Sequence, residues 1–554
     1  MVASSGKDAV GKGRLGGAAA AAAIAVALLV VSAAPAGAAA PPPVGLTLRF
    51  DPGDLDLGQD VAVDSQGNVI LTGTAQTGDD KDFITAKFAP DGTRLWLQRI
   101  NQGKDDRGET VAVDAAGNVY AAGAVSSLVG DNVILVKYLP DGTESWKVTF
   151  DKGTSEAARG LALDSAGNLY VTGVSLSRNG GDGFLVKFNR DGVEQWSKPI
   201  NLWWHEEAFD VAVDAEGNAV VVGRVFTDKA FDVIVRKFNP QGAVLWTQFI
   251  ATPLQEEARG VHIAPDGGIL VAGTTTVPAP AGGNATTDYL LAKWSRDGRL
   301  LWSKAYDVAG GNDEGRAVLA DPWGGLYLTG FGPVGDSKQA VTLRLDGEGR
   351  ELWRHEWGGP GIDGAGALAL TSDGSRLLVA GATQREGLEF DYLLLAYDEN
   401  VPKAAFTAVP SSGGRVAFED ASTPGRDALA AWRWDFGDGT TSLEQNPVHT
   451  YAYGGKYTVT LTVTDGLLNG ATRTMTLDVP GPARPTTPVV TPPGTGGLPG
   501  TGDLSPDANA QPKPGAEQGS GSGGGIPAFE ALAALAAIAL TGLLLGQRAG
   551  GRKE

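Results

Sequence analysis

Residues Gly160 to Gly173 read GLALDSAGNLYVTG, and after a variable stretch Phe184 to Ile200 read FLVKFNRDGVEQWSKPI. The apolar runs are of strand length and bounded by Asp, Asn and Gly, so the unit offers four strands and little helix. Asp164 to Asn168 makes one tight hairpin and Asp191-Gly192 closes another, because Gly tolerates the positive φ of such turns. The unit recurs. Trp96, Trp146, Trp196, Trp246, Trp302 and Trp353 follow one another at intervals of 50, 50, 50, 56 and 51 residues. Gly73, Gly123, Gly173, Gly223, Gly273, Gly330 and Gly381 keep the same beat. A period near 50 marks an array of small sheets. Four antiparallel strands per repeat, with no helix to cover either face, must stack sheet on sheet, and radial stacking around a channel solves that problem. The expectation for residues 46–400 is an all-β propeller.

The chain ends bear on the blade count. Seven copies of the first two strands are present, but the last stops after Tyr392-LLLAYD and reaches no tryptophan strand. Leu46 to Phe50, LTLRF, is a candidate for the missing outer strand, which would leave no open edge. Seven blades is the expectation, with six or eight if Leu46 to Phe50 pairs elsewhere.

Arg159-GLALDSAGNLYVTG with a downstream FLVKF and DGxxxW resembles the bacterial and archaeal β-propeller repeats called SBBP, and its first two strands are similar to NHL repeats. The resemblance spans residues 46–400 and implies a fold, not an activity. From Pro402 the period vanishes. Trp434 to Thr440 (WDFGDGT), Pro447 to Tyr451 (PVHTY) and Gly455 to Val463 (GKYTVTLTV) resemble the PKD domain, which implies an immunoglobulin-like sandwich over residues 402–479. Asp435 and Asp438 read as Asx-turn residues rather than metal ligands. His449 and Tyr451 read as turn and core residues.

Lys7, Lys12 and Arg14 precede an apolar run from Gly16 to Val31 and then Ala36-Gly37-Ala38, so residues 1–38 read as a secretory signal. Residues 480–525 are rich in Pro, Gly, Thr and Ser and read as a disordered stalk. Residues 526–554 hold an apolar run, Ala531 to Gly546, followed by Arg548, Arg552 and Lys553. This reads as a C-terminal transmembrane helix, the positive charges staying inside and the propeller outside. The tail resembles those handled by archaeosortases and exosortases, with Pro527-Ala528-Phe529 in place of their usual motif. Leu498 to Gly502 matches a sortase motif by chance of composition. The expected location is the cell surface, membrane- or envelope-anchored. The chain has no cysteine, and its formal net charge of −19 argues against a nucleic-acid partner.

Four histidines, His205, His262, His355 and His449, lack a second His or Cys at ligand spacing, and no GxSxG elbow or Walker loop exists. Quinoprotein dehydrogenases are propellers too and make the best enzyme alternative, though the vicinal cysteines of that family are missing. No catalytic residue and no cofactor is expected.

Two features remain. One acid occupies the same place in every unit, Asp56, Asp106, Glu156, Glu206, Glu256, Asp313 and Asp363. A ring of these at one channel mouth would suit a hard cation such as Ca²⁺; the competing reading is a structural carboxylate accepting backbone N–H bonds in each blade. Asp64 and its counterparts read as turn formers, and Lys87 and its counterparts as edge residues with solvated tips. The second feature is Leu202-Trp203-Trp204-His205-Glu206-Glu207, where the repeat symmetry breaks. Aromatic faces beside carboxylates suit a sugar ring or a protein hot spot, or the indoles plug a gap between blades. The longest insertion carries a sequon at Asn284. These readings converge on a non-enzymatic surface protein whose propeller adheres to a glycan or protein partner. The competing class is a secreted propeller enzyme acting on polysaccharide or using a quinone.

Overall fold

The computed structural model describes residues 29–32 and 39–483, apart from the short segments 54, 104, 128–129, 152–154, 178–179, 203–204, 228–229, 253, 279–283, 336 and 385–388. The rest of the segment 1–38, the stalk from 484 and the tail with Pro527 and Phe529 lie outside the described residues. No helix among the described residues is long and apolar enough to cross a membrane.

The chain is all-β. Sheet 1 contains the strands Leu55–Val63, Val69–Thr77, Asp80–Phe88 and Arg94–Ile100, paired in that order. Sheets 2 to 6 repeat it, opening with Arg107–Val113, Ser155–Leu163, Glu206–Val213, Glu256–Ile263 and Glu314–Ala320. Sheet 7 holds Asp363–Leu370, Arg376–Gln384 and Phe390–Asp398, and Val44–Phe50 pairs antiparallel with the last of these. The N-terminal strand thus supplies the outer strand that the seventh repeat lacks. Leu29–Ser32 adds a parallel edge to Leu300–Asp307 in sheet 5. First strands of successive sheets touch, and the first strand of sheet 7 touches that of sheet 1. The array is propeller-like, with the first strands around a common cavity of about 650 Å³.

The repeated residues have physical reasons. Each first strand carries a β-bulge, between Gly58 and Asp60 in sheet 1 and at the same place in the others. The bulge brings a carbonyl over the facing second strand, so a Cβ on Gly73 would lie 2.0 Å from the Leu57 oxygen and one on Gly223 1.9 Å from that of Glu207. The periodic glycine is a close-approach requirement. The tryptophans clasp neighbouring sheets: Trp96 Nε1 donates to the Pro140 carbonyl at 3.1 Å and Trp196 Nε1 to that of Pro240 at 3.0 Å.

One expectation needs correction. The repeated lysines do not have solvated tips. Lys87 pairs with Asp64 at 2.9 Å and Lys237 with Asp214 at 2.8 Å, with side chains 3–8% exposed. In sheet 5 the place of the turn acid is taken by Ala264, yet Lys293 reaches Asp266 at 2.7 Å. The aspartates also form the turns, as expected: Asp64 Oδ1 accepts from the Gln66 and Asn68 N–H groups, both at 2.9 Å.

From Phe406 the chain forms a second body of two facing sheets. One contains Phe406–Pro410, Arg415–Asp420 and Val448–Thr450; the other Thr441–Ser442, Leu429–Asp435, Gly455–Asp465 and Gly470–Val479. Trp434 is fully buried between them among Phe406, Phe418, Phe436 and Leu461. Asp435 caps its own turn through the Gly437 N–H at 2.9 Å, and His449 stacks on Phe436 at 4.2 Å. The sandwich meets the array at sheet 6. Arg344, buried against Asp321, donates to the Leu467 and Leu468 carbonyls at 3.3 and 3.2 Å.

Candidate functional site at the channel mouth

A β-bulge turns its extra side chain out of the ladder. The bulge position in the seven first strands is held by Gln59, Glu109, Arg159, Phe209, Arg259, Arg316 and Gly366, all of which line the common cavity. The fold repeats this position, while its chemistry varies from sheet to sheet. Sheets 4 to 6 carry the densest arrangement. Arg259 lies 4.0 Å over the Phe209 ring and donates from Nε to Glu257 at 2.7 Å. Arg224 bridges Glu207 and Glu257 at 2.9 and 3.0 Å. Arg316 pairs with Glu314 at 2.7 Å and stands 5.2 Å over Phe331, and Arg159 pairs with Glu109 at 2.9 Å. Burial raises Glu207, but His205 and Arg224 outweigh it and hold the carboxyl below its ordinary range.

His205 belongs to this network. Its Nε2 lies 2.8 Å from Glu207 Oε1, its Nδ1 accepts from the Gly181 N–H at 3.0 Å, and its ring meets Phe231 edge-on. The adjoining Trp203 and Trp204 lie outside the described residues. Asn284 is exposed.

The seven repeated acids are buried, 0–2% exposed, each at the entry of its own first strand. Asp363 accepts from the Gly359 N–H at 2.8 Å and the Thr383 hydroxyl at 2.6 Å. Asp313 accepts from the Val308 N–H at 2.9 Å, Glu256 from Thr252 at 3.2 Å and Asp56 from Gly53 at 3.2 Å. Asp106 accepts from Gln102 and Ser126, and Glu156 from the Ser175 hydroxyl. Each of these six ties down a connection within its own sheet or the loop entering it, which is structural work. Among the described residues, only Asp56 and Asp313 of the seven join an oxygen cluster tight enough for an ion.

Next to the bulge column, Asp60 and Asp210 line the same cavity and latch neighbouring strands. Asp60 Oδ2 accepts from Val111 N–H at 2.9 Å and Asp210 Oδ2 from Val261 N–H at 2.8 Å. Burial pushes Asp60 up to about 6 and Asp210 to about 7, Asp60 adding repulsion to the latter. Burial likewise raises Glu256 to about 7 and depresses His262 to about 4. The carboxyls bind protons more readily folded than unfolded, so their contribution grows as pH falls from about 7 towards 4. His262 acts oppositely, losing stability as pH falls from 6.5 towards 4. Three carboxyls outweigh one imidazole, so with chelator present the thermal midpoint should rise from pH 8 to pH 5. Asp210→Asn should flatten that slope; an unchanged slope would remove Asp210 from the account.

Residues 399–479 match the PKD domain family. The chain is 34% identical over 84 residues to the pre-pro-metalloprotease PrtV of Vibrio cholerae serotype O1 (strain M66-2), covering 15% of this chain and 9% of that protein. It is 38% identical over 87 residues to a microbial collagenase of Vibrio alginolyticus, covering 14% and 10%. The match thus spans about a tenth of the length of these curated relatives. Among solved structures, the Neurospora crassa Pan2 WD40 domain aligns with 61% of this chain and 88% of its own, at 10% identity and a TM-score of 0.40. The sandwich that follows the propeller-like array is a PKD domain.

Proposed function

We propose that this chain is an exported, surface-held and non-enzymatic binding protein. Its array acts as a seven-bladed propeller closed by Val44–Phe50, and it binds an acidic glycan, carboxylated or sulfated, at the channel mouth. The observation that carries the reading is the bulge column. Where every sheet poses the same structural problem, a position kept for structure stays constant, as the periodic glycine does. The bulge position instead presents Arg159, Arg259 and Arg316 with Phe209 among them. Arg159 engages Glu109 through Nη1, Arg259 engages Glu257 through Nε, and Arg316 engages Glu314 through Nη2. Each guanidinium carries five N–H donors, so planar donors remain for an anionic group. Phe209, 4.0 Å under the Arg259 guanidinium and 5.6 Å from that of Arg224, holds these donors in place. Trp203 and Trp204, the ligand-binding candidates of the sequence, stand next to His205 in the chain. The signal at 1–38 and the tail at 526–554 support export and anchoring.

An enzyme acting on polysaccharide is the second reading, favoured by the raised carboxyls Asp60 and Asp210 in the channel. Each, however, accepts backbone N–H bonds on both oxygens, which gives it a structural occupation.

A glycan array probed with the full chain is expected to retain acidic and not neutral glycans. Replacing Arg159, Arg259 and Arg316 together by Gln should weaken retention at least about 100-fold, since a charged hydrogen bond contributes about 1.5–3 kcal/mol. Unchanged retention by the folded triple variant would end the channel-mouth reading. Turnover of a retained glycan, lost in Asp210→Asn, would favour the enzyme.

A further inference from the structure

The junctions between sheets repeat a three-residue motif, one residue from the third strand, one from the end of the fourth, and the entry acid of the next sheet. At the junction of sheets 5 and 6 all three are aspartates: Asp288, Asp307 and Asp313. One oxygen from each lies within 4.8 Å of the others. Asp288 is 3% exposed and, among the described residues, has no hydrogen-bond or ion-pair partner; only the charges of Asp307 and Asp313 act on it. Asp313 is fully buried, and its Oδ1 has no partner while Oδ2 takes the Val308 N–H. Asp307 Oδ1 accepts from the Gly310 N–H at 2.7 Å. The nearby cation, Arg354, is already engaged, with Nε and Nη2 on Glu351 and Nη1 on the Val308 carbonyl.

Comparison among the repeats shows what is unusual. In sheets 3 and 7 the residue facing the entry acid is Ser175 or Thr383, whose hydroxyl donates to it. Facing Asp313 stands Gly332, and a Cβ there would lie 2.2 Å from Asp313 Oδ1. At this junction two further carboxylates stand beside the entry acid instead. The same substitution occurs at the junction of sheets 7 and 1, where Ala75 faces Asp56 and the cluster is Asp51, Asp56 and Asp391.

We propose that Asp288, Asp307 and Asp313 bind a hard divalent cation of calcium's size. Two buried carboxylates and a half-buried one this close repel one another unless a cation joins them. One oxygen from each carboxylate lies within 4.8 Å of the others, close enough for a single ion bound at about 2.4 Å to reach all three. Magnesium demands near-ideal octahedral geometry and gives up its waters reluctantly, so a largely buried carboxylate pocket suits the more adaptable calcium better. The ion ties the third strand of sheet 5 to the entry of sheet 6, next to Glu314 and Arg316 of the channel mouth.

The test is the thermal midpoint of the full chain in calcium, in magnesium and in chelator, for the wild type, Asp288→Asn and Asp307→Asn. Calcium should raise the wild-type midpoint by several degrees, and magnesium should do less. Asp288→Asn should cut the calcium shift to what the Asp51, Asp56 and Asp391 cluster contributes and melt at or above the wild type in chelator, because it removes a repelling charge. Asp307 is only half-buried, so Asp307→Asn should fold even if Asp288→Asn does not, and it too should cut the shift. Asp363→Asn, which touches an entry acid outside any cluster, should keep it. No calcium shift in the wild type, or one that Asp307→Asn retains in full, would overturn the site. Glycan retention is read separately, so a failure here leaves the channel-mouth reading standing.

Discussion

Deleting Val44 to Phe50 should unfold the propeller-like array. The strand pairs along its length with Phe390–Asp398. Phe50 packs edge-on against Phe88 at 5.3 Å and beside Tyr392 at 5.8 Å, with Leu46 and Leu48 against the same core. Truncating one buried Phe costs about 3–5 kcal/mol, against a total stability of about 5–15 kcal/mol for a domain. Losing the strand also bares the edge of a strand whose Tyr392 to Tyr397 are all about 1% exposed or less, a template for association. Calorimetry and size-exclusion chromatography should therefore find the array molten or aggregated, while Phe50→Ala alone lowers the midpoint and leaves a monomer. A deletion variant that melts like the wild type and stays monomeric would refute closure by this strand.

Arg344→Met should be the most damaging single substitution. Arg344 and Asp321 have side chains 0% and 1% exposed, so removing the guanidinium leaves a buried carboxylate without its counter-ion, which costs about 3–5 kcal/mol. It also frees the Leu467 and Leu468 carbonyls of the PKD domain and removes a cation standing 4.2 Å over the Tyr327 ring. The repeats supply the control. Lysine fills this position in sheets 1 to 5 and makes the same pair with a turn acid in sheets 1, 3 and 4, so Arg344→Lys should recover most of the array's stability. All three contacts leave from Nη2 at the far tip of the guanidinium, and a lysine ammonium on its shorter stem should keep the acid but stop short of the carbonyls, so that variant should uncouple the PKD transition from that of the array. Differential scanning calorimetry distinguishes the cases: one transition in the wild type, two in Arg344→Lys. An Arg344→Met variant with the wild-type midpoint would show that the pair carries no stability.

Much of the array was legible in the sequence because its constraints are local and recur. The Asp and Gly of each turn lie within five residues of each other, and the periodic Gly and Trp survive because every sheet presents the same close approach and the same clasp. The PKD motif was legible for a similar reason, since Trp434, Asp435 and Asp438 act within one corner. The channel-mouth column was hidden although its spacing from the entry acid is constant. Gln59, Glu109, Arg159 and Phe209 look like ordinary variation until the bulge shows that each faces the cavity. The lysine pairs were misjudged because Asp266 stands two residues from the position Ala264 occupies, so a column-by-column comparison loses the partner. The aspartate clusters were out of reach for a stronger reason. Asp391 and Asp56 meet only because the last sheet closes on the first, a contact no local pattern encodes.

The most direct test of the central claim is hydrogen–deuterium exchange of the full chain with and without the tightest acidic glycan found on the array. Binding at the mouth predicts added protection at 155–163, 205–212, 256–262 and 314–319, with little change at 55–63 and 363–370. Protection confined to the PKD domain, or to the fourth strands on the outside of the array, would contradict it.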